Sequence, residues 1–286
     1  MPTDTSAFTM PTPTRIGRVA LRVASLDRVV PFYRDVVGLD VARDGTGAVL
    51  SAGDDPLVVL REEPGAPERP SDAAGLFHLA VRVPSRAALG DALTRIESSD
   101  EALTGASDHL VSEALYLRDP EGNGVEVYRD RPRDDWTVTD DGGVEMDTLR
   151  LDLDEIRAAA GGEDRAPPGT DIGHVHLEVT DLASARAFYV DTLGLSVRTE
   201  SYSGALFVAA GGYPHHLGLN PWNRRRTSSK KSRGLAWFEF VLPDREAMDG
   251  LRGSIPASAE VEQADGTVVV TDPDGIELRL RVDTTR

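Results

Sequence analysis

The chain has 286 residues, with 31 lysines and arginines against 48 aspartates and glutamates, a formal charge of −17, and no cysteine. Two domains of ordinary size fit that length. So acidic a surface would repel a nucleic-acid partner, and the lack of cysteine removes disulfides, thiolate catalysis and Cys-ligated metal centres. No window is apolar for long enough to cross a membrane and the first residues lack a signal-peptide core, so a cytoplasmic protein without membrane contact is expected.

Residues 1–14 carry three prolines and no apolar periodicity, and are expected to form a disordered tail. In Gly17-Arg-Val-Ala-Leu-Arg-Val23 two faces alternate, Val19, Leu21 and Val23 against Arg18, Ala20 and Arg22. The stretch from Val29 to Val37 has helical spacing and ends at Gly38. Short strands are expected near 47–52 and 56–61, and nothing on the free face of this module, Val58 included, is a good metal ligand.

A second unit opens at Gly75-Leu-Phe-His-Leu-Ala-Val-Arg-Val-Pro84, continues through an amphipathic run from Leu89 to Ile96, and ends in a turn, Asp119-Pro-Glu-Gly-Asn-Gly, that delivers Glu126 to a last strand. His78 stands on its first strand, and His109 lies between its amphipathic run and its closing turn. With Arg18 as the expected partner of His78, a guanidinium that cannot ligate, His78 is expected to be a hydrogen-bonded remnant. Residues 132–170, rich in Asp, Gly and Pro, are expected to be a linker holding one short helix.

The third unit starts with Ile172-Gly-His-Val-His-Leu-Glu-Val-Thr-Asp-Leu182, which sets His174, His176 and Glu178 on one face. It repeats the first unit at a constant offset of 156 residues, Gly17 onto Gly173 and Phe32-Tyr33 onto Phe188-Tyr189. Aligning Pro56 with Pro214 places His216 opposite Val58; strand alternation then puts His216, Gly218 and Asn220 on the free face and His215 on the helix side. Six positive charges among residues 223–233 form a solvated loop or an anion-attracting lid. The fourth unit opens at Gly234, carries Trp237 where units two and three have His, and closes with Asp272-Pro-Asp-Gly-Ile-Glu277.

Four copies of strand, helix and three strands, with ligand residues on first and last strands, resemble the vicinal oxygen chelate superfamily (glyoxalase/bleomycin resistance/extradiol dioxygenase). The likeness is closest in GASDHLVSEALYLRDPEGNGVEVYRDRP (Gly105–Pro132), GHVHLEVTDL (Gly173–Leu182) and ALFVAAGGYPHHLGLNPW (Ala205–Trp222), and within the superfamily it is to two-domain, catechol 2,3-dioxygenase-like extradiol proteins. It implies an α+β fold of four βαβββ modules paired into two domains. Residues 15–131 (modules 15–62 and 74–131) would form a metal-free domain, and residues 171–283 (modules 171–222 and 233–283) a domain with a metal site.

The resemblance further implies His174, His216 and Glu277 as ligands, two imidazoles and one carboxylate, the set that non-haem Fe(II) oxygenases use. Trp237 would wall the substrate pocket, and Mn, Zn or Ni are alternative ions. In the better-known extradiol pattern the second His comes from the first strand of the last module; Trp237 stands there, so His216 takes that role. The implied reaction opens a catechol-type diol with O2, and His176 and Tyr213 are candidates to move its protons. The alternatives are a glyoxalase-like lyase or isomerase, in which the metal is a Lewis acid, and a non-catalytic binder of small aromatic ligands. A homo-oligomer stays open.

Overall fold

The computed structural model describes residues 8–140, 142–200, 204–228, 231–256, 261–264 and 266–283. Each repeat folds as one strand, one helix and three strands. Module one comprises β1 (Arg15–Val23), α1 (Leu26–Pro31, prolonged by a wider-turned segment Phe32–Val37), β2 (Asp40–Asp44), β3 (Gly47–Ala52) and β4 (Asp55–Glu62). Module two has β5 (Gly75–Arg82), α2 (Arg86–Glu97), β6 (Gly105–Asp108), β7 (Ser112–Arg118) and β8 (Gly124–Asp130), followed by β9 (Leu149–Arg150) and α3 (Leu153–Ala158). Module three has β10 (Asp171–Glu178), α4 (Leu182–Arg186, prolonged by Ala187–Thr192), β11 (Ser196–Thr199), β12 (Leu206–Ala209) and β13 (Leu217–Asn220). Module four has β14 (Gly234–Leu242), α5 (Arg245–Ser254), β15 (Val261–Ala264), β16 (Thr267–Thr271) and β17 (Glu277–Val282).

Local chemistry marks the boundaries. Ser85, Asp181 and Asp244 each accept a backbone N–H of the first turn of α2, α4 and α5. Gly38, at φ +92°, takes the left-handed conformation that ends the first helical run.

The sheets join modules differently from the expected N-terminal and C-terminal pairs. One has eight strands in the order β15-β16-β17-β14-β1-β4-β3-β2, so module one pairs with module four. The other has nine, β11-β12-β13-β10-β5-β8-β7-β6-β9, so module two pairs with module three. Charge complementarity favours this choice. Arg82 of β5 meets Asp171 of β10 at 2.6 Å, and Arg18 of β1 meets Glu239 of β14 at 2.6 Å. With β1 in the place of β10, the same register would have set Arg15, the counterpart of Asp171, opposite Arg82.

Backs of the sheets face each other, with β1 against β10 and β14 against β5. Val19, Leu21, Val175, Leu177, Phe238 and Phe240 are buried there, each large side chain contributing about 1.5–3 kcal/mol of burial. Sequence-adjacent modules are tied another way: Tyr33 donates to Asp119 at 3.3 Å and Tyr189 to Asp272 at 2.9 Å.

Two further expectations are corrected. Residues 8–14 pack on module three, with Met10 buried and its N–H donating to the Gly194 carbonyl at 2.8 Å; residues 1–7 lie outside the described residues. The linker is part of the fold, since β9 pairs with β6 and Ile156 of α3 is buried against α2. The basic loop is strapped down as well, Arg226 and Thr227 both donating to the Asp72 carbonyl; residues 229–230 lie outside the described residues. Among the described residues, no helix is long and apolar enough to cross a membrane.

Because each sheet draws on both halves of the chain, residues 1–140 alone expose β1 and β5 as open edges. That fragment should aggregate or unfold without a cooperative transition, whereas co-expression with residues 141–286 should give a soluble complex. Size-exclusion chromatography and urea titration measure this, and a monomeric, cooperatively unfolding first half would contradict the pairing.

Candidate metal centre

β8, β5 and β10 lie side by side, and their register builds the site. His78 stands opposite His176 across the β5–β10 ladder, and Ala80 opposite both His174 and Glu126. The methyl of Ala80 leaves the volume that an imidazole and a carboxylate occupy. Gly124 serves the same end, because a Cβ there would lie 2.0 Å from the Phe77 carbonyl oxygen and push β8 away from β5.

His78 Nε2 and His174 Nε2 both reach Glu126 Oε2 at 3.0 Å and lie 3.3 Å from each other, all three residues being buried. Two metal–ligand bonds of about 2.1 Å at right angles separate their ligand atoms by about 3.0 Å. The spacing therefore suits three adjacent positions around one ion. No other group of three potential His, Asp or Glu ligands converges in this way among the described residues. Burial opposes ionisation of Glu126, but His174 and His78 outweigh it and hold the carboxyl well below its usual range. Burial also pushes His78 down despite Glu126. A carboxylate with neutral imidazole is the protonation state that ligates.

Around this cluster lies a cavity of about 320 Å³. His176 packs edge-on to His78 at 4.9 Å between ring centres, and its buried Nε2 has no protein partner. His215 packs against His174 at 4.2 Å, with its Nδ1 likewise unpartnered. Burial, then neighbouring imidazoles, push both well below the ordinary histidine range. Phe77, Phe207 and Trp222 supply aromatic wall, and Met146, Asp147 and Thr148 of the connecting segment close another side. His109 fastens that segment, bonding the Asp147 carbonyl through Nδ1 and the Tyr116 hydroxyl through Nε2, both at 2.7 Å.

Of the expected ligands, His174 is in the cluster and the other two are not. His216 is buried beside the cavity wall, its Nδ1 accepting the Ala210 N–H at 3.1 Å to close the turn before β13 and its ring 4.9 Å from that of Tyr213. That turn directs His215, not His216, into the cavity, because simple alternation does not carry back past Leu217, where the strand begins. Glu277 belongs to the other sheet, where it pairs with Arg279 at 2.9 Å. Trp237 lies there too, covered by Arg279 at 4.1 Å and Arg18 at 5.6 Å, and walls no part of this cavity. The two residues left to a metal-free domain, His78 and Glu126, are the remaining members of the cluster.

His176 and Tyr213 both line the cavity. Tyr213, however, shares its hydroxyl with Tyr128 at 2.8 Å and Asp130 at 3.1 Å, and burial with the Asp130 charge pushes it far above the ordinary phenol value. Glu178, on the same strand face, is held by Arg225 at 2.7 Å and Arg69 at 3.0 Å.

The family model described as Glyoxalase/Bleomycin resistance protein/Dioxygenase superfamily matches residues 15–127 and 171–280. Over 272 residues the chain is 40% identical to the catechol-2,3-dioxygenase of Bacillus subtilis (strain 168), spanning 91% of this chain and 94% of that protein. A solved structure of a candidate dioxygenase from Bacillus subtilis is similar at TM-score 0.65 and 12% identity, covering 97% and 87% of the two chains. Glyoxalase I from Zea mays is similar at TM-score 0.54 and 17% identity, covering 93% and 92%. At such identities these structures carry the fold alone.

The buried imidazoles should make the protein acid-sensitive. Burial lowers His216 to about 3, so between that value and the unfolded one of about 6.5 the unfolded chain binds the extra proton. Acidification therefore favours unfolding. The metal-free protein should lose about 1.4 kcal/mol per pH unit below pH 6.5 through His216 alone, and His216→Gln should flatten the slope by one proton. Urea midpoints between pH 7.5 and 5 measure both, and a pH-independent stability would refute the assignment.

Proposed function

Because the chain belongs to the glyoxalase/bleomycin resistance protein/dioxygenase superfamily, we propose that it is a non-haem Fe(II)-dependent extradiol dioxygenase that opens a catechol-type ring with O2 at the His78, Glu126 and His174 cluster. That it is a dioxygenase-like enzyme follows from 40% identity along nearly its whole length to one. The observation that carries the finer reading is the convergence of two imidazoles and one carboxylate within 3.3 Å in a buried, aromatic-walled cavity. This donor set with adjacent open positions is the one non-haem Fe(II) oxygenases use. Bound there, Fe(II) would supply coordination places for the diol and O2 and a route for electrons between them.

The remaining work falls to side chains. His176, held neutral, lines the cavity and has a buried Nε2 without a protein partner, and is the residue we assign to accept a diol proton. His215 offers a second neutral imidazole on the far side of His174. Tyr213, its proton engaged by Asp130, positions the wall rather than acting as a base. Phe77, Phe207 and Trp222 present apolar rings that a flat substrate can lie against while water is excluded.

After anaerobic reconstitution the wild type should retain one iron per chain. His78→Ala and Glu126→Ala should lose most of it, whereas Glu277→Ala and His216→Ala, if folded, should keep it; metal analysis of desalted protein reads the result. Iron lost with Glu277→Ala but kept with Glu126→Ala would sink the assignment. In an oxygen electrode with catechol, His176→Gln should retain iron yet lose roughly 100-fold in turnover, the usual scale of a proton-transfer residue.

A further inference from the structure

We propose that the natural substrate carries an uncharged ring substituent and that the cavity rejects catechols bearing a carboxylate; the inference rests on the ring-opening reading above and deepens it. Glu126, Asp130 and Asp147 are the acidic residues of the cavity lining, and among the described residues no arginine or lysine lines it. Arg82 stands behind the wall, committed to Asp130 at 2.8 Å and Asp171 at 2.6 Å. A carboxylate entering with the ring would shed its water, find no cation among the described lining residues and approach acidic ones at low effective dielectric.

An ammonium group gains little either. Asp130 is already bonded by Arg82 and Tyr213, and Asp147 is an exposed residue whose carboxylate accepts the Thr148 N–H at 2.7 Å. What the walls offer is apolar area from Phe77, Val111, Met146, Phe207, Pro214 and Trp222. Each methylene buried against such a surface is stabilised. A small alkyl or aryl group meets that wall without a charge to desolvate.

Anaerobic calorimetry of the full-length, Fe(II)-loaded protein tests this with 4-methylcatechol, 3,4-dihydroxybenzoate and 4-(2-aminoethyl)catechol at pH 7. The methyl compound should bind at least 100-fold more tightly than the carboxylate and at least 10-fold more tightly than the amine. Equal binding of either charged compound would overturn the inference. Met146→Arg places a cation in the half-buried wall supplied by the connecting segment. With iron content unchanged, it should narrow the methyl-to-carboxylate gap at least 10-fold, and an unaltered gap would show that charge is not what excludes the anion. Oxygen uptake separates the two readings. Selective binding without ring opening would refute the dioxygenase reaction and leave the charge preference standing, whereas opening of all three compounds at equal kcat/KM would do the reverse.

Discussion

Antiparallel pairing of Gly75–Arg82 with Asp171–Glu178 sets Ala80 beside His174 and His78 beside His176, and the parallel neighbour β8 brings Glu126 to Ala80. The candidate metal cluster exists because these three strands share one ladder, so residues 48 and 96 apart in sequence reach hydrogen-bond range. Backbone hydrogen bonds on both sides hold each strand, which leaves the side chains little freedom to relax away from one another. The arrangement closes on itself. Sheets join module one to four and two to three, while Tyr33–Asp119 and Tyr189–Asp272 join one to two and three to four.

The second sheet shows what the same positions become without a cluster. Arg18 stands at the place of His174 and Trp237 at that of His78, and the ladders set Arg279, not Glu277, at the place of Glu126, since Glu277 lies opposite Trp237 as Gly124 lies opposite His78. Arg18 bonds Glu239 through its fork, Arg279 lies over the Trp237 ring, and Arg281 reaches Glu239 at 3.3 Å. Guanidinium groups and an indole fill the face with ion pairs and ring contacts, and a guanidinium cannot ligate. Of the two equivalent faces, the one shared by modules two and three holds convergent groups that could bind a metal.

Much of this was legible in the sequence. The four-module α+β fold, the faces of the first strands, His174 and the placing of His176 in a pocket all follow from alternation and from the offset of 156 residues. The candidate cluster does draw on first and last strands, β5, β10 and β8. What repetition cannot say is which module meets which, since related modules present similar edges. The discriminating signal was the free-face charge, Arg82 against Asp171 and Arg18 against Glu239, which only cross-strand comparison reveals. The register at His215 and His216 failed for a different reason. Residues 210–216 form a turn that bonds to its own imidazole, so period-two alternation does not run through it.

The cluster also explains why so polar a site is tolerated inside an apolar cavity. Two imidazole nitrogens crowd one carboxylate oxygen, and the unpartnered nitrogens of His176 and His215 sit close by in buried surroundings. Polar atoms in such surroundings keep these positions only where the neighbouring structure fixes them. Here small residues and ladders do so: Ala80 and Gly124 make the room, and hydrogen-bonded strands on either flank prevent collapse. A cation that binds the folded cluster and not the unfolded chain would add to stability. The groups that crowd one another are thereby the ones an ion would bring into register with the fold.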